Sequence, residues 1–317
     1  MNTKFRYNIY SEYLKNKYNT KVYKIPVNII ATCPNRDGTV GIGGCIFCGE
    51  QGADFEMQSN EMSISKQIEK NMEYIKKKYK AEKFIIYFQN FSNTYIKFEK
   101  FKEYILEACK ANVVGINIST RPDCIDDKYL KFLKRIKKEK EIDICFELGL
   151  QTVNYHTLYK INRGHTLAEF IDAVIRIKKY KFDICTHVIL DLPWDNIYDI
   201  IENAKILSAL KVEQVKIHSL YIVKGTMLAK MYESDEIQLV SKEEYIKRVV
   251  TFLEYLDQSI IIQRLIGRAP KEDTVIVNWN TSWWKIKDEI DEYIEEKNIF
   301  QGGKFNYLDG KVLKNLI

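Results

Sequence analysis

The stretch from Cys33 to Cys48 sets three cysteines, Cys33, Cys45 and Cys48, in one glycine-rich loop directly after the apolar segment Ile25 to Ala31. Eleven residues separate the first pair and two the second. Thiolates bind soft metals and iron–sulfur clusters, and a Cys-x-x-Cys pair lets two sulfurs reach one centre. Gly38, Gly41, Gly43 and Gly44 let the backbone turn tightly around such a centre. A closed zinc site wants four ligands, and this loop supplies three. Three thiolates on a four-iron cluster would instead leave one iron open to an outside ligand.

Other polar residues gather where apolar runs end. Gln89 and Asn93 follow the run Phe84–Phe88, and Ser119-Thr120-Arg121-Pro122-Asp123 follows another. Glu147, Gly149 and Gln151 alternate along one face of a strand, followed by Asn162-Arg163-Gly164-His165-Thr166. A guanidinium such as that of Arg163 can grip a carboxylate with two hydrogen bonds, and an amide such as Gln151 can read polar edges. His187 and Asp191 share strand parity, as residues four apart do, and Lys216, His218 and Tyr221 come later. No Ser–His–Asp order and no phosphate-cradling Gly-Lys-Ser/Thr loop occurs, so hydrolase and nucleotide-kinase chemistry has no motif. Arg264, Arg268, Lys271, Trp279, Trp283 and Trp284 interleave charge with aromatics, a composition that suits either RNA phosphates and bases or packing anchors.

These residues need elements to hold them. Apolar runs at 27–31, 84–88, 115–119, 142–150, 184–192 and 214–223 alternate with helix-period segments near 63–79, 95–111, 126–139, 166–180 and 195–209. Such alternation predicts parallel strands with crossover helices. Six strands are too few for an eight-unit barrel, and periodicity leaves an open sheet and a partial barrel both standing. After residue 240 the pattern changes to helices near 241–257 and 282–297 with short strands between. The expected division is a lead-in over 1–24, an α/β body over 25–240 and an α+β extension over 241–317 packed on it. The chain has 317 residues, 46% hydrophobic and 29% charged, with net charge +6. That balance is ordinary for a soluble globular protein. No 18-residue apolar run predicts a membrane span. Seven cysteines without a regular framework suit a reducing cytoplasm.

Three clustered cysteines with an aromatic residue, Phe47, just before the last resemble the radical S-adenosylmethionine (SAM) superfamily. Its common spacing is three residues then two. The wider gap here resembles the YhcC/YtqA-type branch, related to the radical domain of the Elongator catalytic subunit. The likeness to that subunit covers about 25–225 and does not reach its acetyltransferase domain, so acetyl transfer is not expected. The YtqA-type likeness runs nearly the full length, including His218-Ser219-Leu220-Tyr221.

This resemblance implies a partial (β/α)6 TIM-like barrel of the radical SAM type, with the site at the carboxyl ends of its strands. It implies a [4Fe-4S] cluster on Cys33, Cys45 and Cys48, and SAM bound at the open iron. Phe47, Gln89, Asn93, Ser119, Gln151 and Arg163 are the expected cofactor-binding positions; Gln151 and Arg163 keep the interval of a SAM-contacting pair in oxygen-independent coproporphyrinogen oxidases. Ser119 stands where the Elongator subunit begins the segment with Glu, and the amides Gln89 and Asn93 replace a Gly-rich acidic motif. Glu147, His187, Asp191 and His218 are candidates for acting on the substrate. The implied reaction is reductive cleavage of SAM to a 5′-deoxyadenosyl radical, with flavodoxin or ferredoxin as electron donor. The implied substrate is the side chain of a tRNA wobble uridine, converted from carboxymethylaminomethyl to aminomethyl. A radical enzyme acting on a small metabolite or protein, and a zinc-binding RNA module, are the alternatives.

Overall fold

Strands and helices alternate because apolar runs of strand length are each followed by a capped amphipathic helix. The structure, a computed structural model, describes residues 5–50, 52, 58–268 and 273–315. Helix α1 (Tyr10–Tyr18) leads into β1 (Val22–Val27), and α2 (Ile64–Tyr79) follows the cysteine loop. Then come β2 (Lys83–Phe88), α3 (Phe98–Ala108), β3 (Val113–Thr120), α4 (Asp127–Lys140) and β4 (Asp143–Gln151). The series continues with α5 (Tyr155–Lys160), α6 (Leu167–Lys179), β5 (Asp183–Ile189), α7 (Ile197–Ala209) and β6 (Gln214–His218). It ends with β7 (Ile222–Val223), α8 (Met227–Glu233), α9 (Lys242–Tyr255), β8 (Ile261–Arg264), β9 (Thr274–Ile276) and α10 (Trp283–Glu296).

Local chemistry fixes the helix starts. Ser63 accepts a hydrogen bond from Lys66 N at the head of α2, and Asp126 accepts from Lys128 N at the head of α4. Thr166 with Glu169, and Asn196 with Asp199, form capping boxes that satisfy otherwise orphaned N–H groups of α6 and α7. Lys80 and Glu141 end α2 and α4 in the left-handed region.

The main sheet has the order β1-β2-β3-β4-β5-β6-β8, with β7 and β9 forming a separate antiparallel pair. The pairs β1–β2, β2–β3, β3–β4 and β6–β8 are parallel. Two findings depart from the sequence expectation. The first strand lies at 22–27 instead of 27–31. Pro26 is tolerated because β1 is an edge strand, where the missing N–H breaks no ladder. The run Ile260–Leu265, expected in the extension, supplies a seventh strand, β8, paired with β6.

Two compact units make up the chain. One comprises Ser11–Leu150 with Asn162–Cys185 and carries the cysteine loop; the other comprises Met1–Tyr10, Gln151–Ile161 and Thr186–Ile317. In the first, Ile25, Ile86, Ile116, Ile118, Phe146 and Leu148 are at most 0% exposed and build the core. In the second, Arg6 grips Glu295 through two hydrogen bonds and Asn8 N donates to Gln301 Oε1 at 2.9 Å, so the N-terminal segment is anchored to the C-terminal part of the chain. Among the described residues no helix is long and apolar enough to cross a membrane.

Candidate active site

The cysteine loop is folded by its own backbone. Arg36 N donates to Cys33 O at 2.8 Å, Val40 N to Pro34 O at 2.8 Å, Gly44 N to Asn35 O at 2.8 Å and Cys48 N to Cys45 O at 2.9 Å. Gly44 has φ +84°, and a Cβ there would stand 3.1 Å from Arg36 Cγ, so glycine is required at this turn. Cys33, Cys45 and Cys48 are all free thiols, with Cys45 buried and the other two half-buried. Phe47 is half-buried between the last two.

Asn35 and Arg36, which carry no expectation in the sequence, hold this loop together with Asn162. Asn35 is fully buried, donates to Asn162 O at 2.6 Å and lies 3.8 Å from Cys45 Sγ. Arg36 Nη2 lies 3.3 Å from Cys48 Sγ and donates to Cys48 O at 2.9 Å. Burial pushes the Cys48 thiol up, the neighbouring Cys45 adds to this, and Arg36 opposes it. Asn162 Nδ2 donates to Gly44 O at 2.8 Å. Their signal was present, since Asn35 and Arg36 stand inside the loop itself, but their partners are remote in sequence.

Arg163 comes beside the loop. The residue is 7% exposed, and its guanidinium lies 3.5 Å from Cys45 Sγ and donates to Gly149 O at 2.6 Å. Its Nε is buried without a hydrogen-bond partner, and among the described residues no carboxylate pairs with it. Arg121 differs. It forks onto Asp123 at 2.8 and 2.6 Å and donates to Arg163 O at 2.8 Å, so it braces the loop that carries Arg163. His165 sits between carbonyls of Gly149 and Thr166. Burial, with Arg163 and Arg121 adding, lowers its pKa to about 2, so it is neutral.

The amides after β2 are also placed in this unit. Asn93 is 1% exposed and its Nδ2 reaches Phe88 O, Asn90 O and Ser119 O at 2.8–3.0 Å. Those carbonyls fix the amide's orientation, leaving Oδ1 buried without a donor. Gln89 and Ser119 are half-buried, and Ser119 O also accepts from Asn93 N at 3.0 Å. Glu147 is fully buried and accepts from Asn117 Nδ2 at 2.6 Å and from Lys24 Nζ.

The remaining candidates belong to the other unit. Gln151 ends β4 with φ +78°. His187 and His218 face each other with ring centroids 5.0 Å apart, and Arg264 Nη2 lies 2.6 Å from His218 Nδ1. The same Nη2 lies 3.1 Å from His218 Nε2, and because guanidinium only donates, the imidazole is the accepting side of this contact. Asp191 is 3% exposed and accepts from Leu220 N at 2.8 Å; burial pushes its carboxyl up to about 7. Arg264 is thus engaged with a histidine, and Trp279 donates to Val240 O at 2.7 Å while stacking near Tyr245. Arg268 lies 4.0 Å from the Trp283 centroid, Trp284 is 50% exposed, and Lys271 lies outside the described residues.

The radical SAM superfamily profile matches residues 27–207, and the radical SAM C-terminal domain profile matches 212–296. The chain belongs to the radical SAM superfamily. YtqA of Bacillus subtilis is 33% identical over 310 residues, covering 97% of this chain and 95% of that one. A tRNA uridine(34) acetyltransferase of Methanocaldococcus jannaschii is 26% identical over 181 residues, 55% of this chain and 31% of its own length. Among solved structures, the Methanocaldococcus infernus Elp3 with an N-terminal deletion superposes with a TM-score of 0.68 at 17% identity. The match covers 88% of this chain and 64% of that one. It shows the shared fold, the partial parallel barrel of radical SAM enzymes.

This radical SAM chain is therefore an iron–sulfur enzyme, and membership implies SAM and a [4Fe-4S] cluster. The residues present fit both. Three free thiols in one loop suit a cluster, the unpaired buried cation Arg163 suits an anionic group, and the orphaned acceptor Asn93 Oδ1 suits an ammonium.

Proposed function

We propose that Cys33, Cys45 and Cys48 hold the cluster and that the enzyme remodels the side chain of a tRNA wobble uridine, converting carboxymethylaminomethyl to aminomethyl. The methylene beside the carboxylate would give up two electrons and a proton, with SAM as the net oxidant ending as methionine and 5′-deoxyadenosine. Water would then hydrolyse the resulting imine to the amine and glyoxylate. When bound, the cluster and SAM together supply one-electron reductive cleavage that yields a 5′-deoxyadenosyl radical. The protein's part is to orient and enclose. Arg163 grips the methionine carboxylate, and Asn93 Oδ1 accepts from its ammonium. Phe47, Gln89 and Ser119 line its bed, and Gln151 is assigned to the cofactor on its twelve-residue interval from Arg163 alone. Asn35 and Arg36 direct N–H groups at the sulfurs of Cys45 and Cys48, which steadies negative charge there.

The observation that carries the cofactor half is Arg163, a buried guanidinium beside Cys45 with no carboxylate partner among the described residues. Burying such a charge unpaired is costly, so an anionic partner is called for. The substrate half is supported by the likeness to a protein named for tRNA uridine 34. A cytoplasmic setting and a flavodoxin- or ferredoxin-type donor complete the reading. Mass spectrometry of tRNA nucleosides from a deletion strain tests it: carboxymethylaminomethyluridine should accumulate and aminomethyl derivatives fall. An unchanged wobble-uridine profile sinks the substrate assignment.

A further inference from the structure

Lys24 on β1 contacts Glu147 Oε1 on β4, and Asn117 Nδ2 on β3 donates to the same oxygen at 2.6 Å. The ammonium also stands 4.4 Å from the centroid of the Tyr87 ring on β2. Glu147 is fully buried and the Lys24 side chain is 17% exposed. Strand alternation brings the four together, since residues of one parity share a face. The other face of the same strands is filled by Ile25, Ile86, Ile116, Ile118, Phe146 and Leu148.

The fold does not require these charges. Replacing a buried ion pair by apolar residues of similar size is often neutral or stabilising. A charged pair with a polar escort, set where apolar side chains would serve, marks a functional candidate. Its level in the sheet fits that view. Lys24 lies three residues before the end of β1, Asn117 three before the end of β3 and Glu147 four before the end of β4. At 3.3 Å per residue that is about 10 Å beneath the strand ends. The cysteine loop and Asn93 follow those same ends, as does Arg163 further along.

We propose that Lys24 and Glu147 form the recognition site for a glycine-like zwitterion, an amine and a carboxylate separated by one methylene. This rests on the tRNA reading, whose carboxymethylaminomethyl group is such a zwitterion. Lys24 receives the carboxylate and Glu147 the ammonium, while Asn117 and the face of Tyr87 hold the two in place. Before binding, each charge neutralises the other. On binding, that contact is exchanged for two contacts of the same polarity, and net charge in the site is unchanged. An uncharged uracil substituent offers no carboxylate to Lys24 and no ammonium to Glu147, so it has nothing to exchange for their contact.

The test uses the full-length, anaerobically reconstituted protein with SAM but no reductant. Synthetic anticodon stem-loops carry carboxymethylaminomethyluridine, aminomethyluridine or plain uridine, and dissociation constants are measured. Wild type should prefer the zwitterionic loop over uridine by at least about ten-fold, and Lys24→Gln should lose that preference. Lys24→Arg keeps the charge and should retain most of it. The double variant Lys24→Met/Glu147→Gln leaves no lone buried charge, which guards against misfolding, and should also lose it. Reductant is then added and product is counted. Conversion by wild type with full preference in the double variant overturns the proposal and leaves the tRNA reading standing, as does conversion without any wild-type preference. A wild-type protein that neither prefers nor converts the loop overturns the tRNA reading and this inference together.

Discussion

Asn35 and Asn162, 127 residues apart, are tied by a 2.6 Å hydrogen bond from Asn35 Nδ2 to Asn162 O. Asn162 returns the contact to the cysteine loop through Gly44 O. The loop between Cys33 and Cys45 is therefore shaped by a segment that enters only after β4, and that segment also carries Arg163. Positioning of the sulfurs and of the guanidinium is one structural problem with one solution.

Gly164 is the tightest point of that solution. It has φ +73°, and a Cβ would stand 2.6 Å from Asn35 Oδ1 and 2.9 Å from Val40 Cγ1. Gly164→Ala should destabilise the protein by about 1–3 kcal/mol, combining backbone strain with the clash. It should also lower iron retained per chain after anaerobic reconstitution. Thermal melting and iron analysis read the two effects, and wild-type values for both would show that the contact does not shape the loop.

Cysteine substitutions separate the proposed cluster from a zinc site completed elsewhere. Cys33→Ala, Cys45→Ala and Cys48→Ala should each abolish the brown colour and SAM cleavage. Cys124, a half-buried free thiol whose burial pushes it up to about 11, is the thiol to compare. Cys124→Ser should keep both colour and iron content. Loss of iron in that variant would identify a fourth protein ligand and remove the open coordination position.

Much of this architecture was legible in the sequence where the signal is local. Ser63, Asp126, Thr166 with Glu169 and Asn196 with Asp199 announce helix starts through their own side chains, and α2, α4, α6 and α7 begin there. The cysteine spacing was equally local. What failed was long-range. Ile29 and Ile30 read as strand, yet Ile30 is 68% exposed in the loop, and the strand lies at Val22–Val27. No local pattern links Lys24 on β1 to Glu147 on β4, which meet across two intervening strands. The contact between Arg264 and His218 had no sequence signal either, since no pattern links positions 46 apart.

Arg163 should dominate affinity for SAM. Charge-assisted hydrogen bonds to a buried partner contribute about 1.5–3 kcal/mol, so Arg163→Met should weaken SAM binding by about 10–100-fold. Arg163→Lys keeps the charge but loses the fork, and should recover only part of that loss. Equilibrium dialysis with labelled SAM on reconstituted protein reads the series. Equal affinity in all three proteins would mean that the guanidinium serves the cysteine loop alone.

Asp191 gives the protein a pH signature distinct from its chemistry. Burial raises its pKa from an ordinary 3.8 to about 7, against the pull of the Leu220 N–H. The folded protein therefore binds this proton more tightly than the unfolded chain. The resulting stabilisation is fully present below about pH 4 and is lost as pH rises through about 7, a change on the order of 4 kcal/mol. Asp191→Asn keeps an acceptor for Leu220 N and has no charge to bury. Its melting temperature relative to wild type should therefore climb between pH 5 and pH 7 and level off by about pH 8. Arg248, which donates to Leu190 O and Asp195 O in the same region, would limit that gain if it compensated the ionised carboxylate, and parallel melting curves for the two proteins would show that it does.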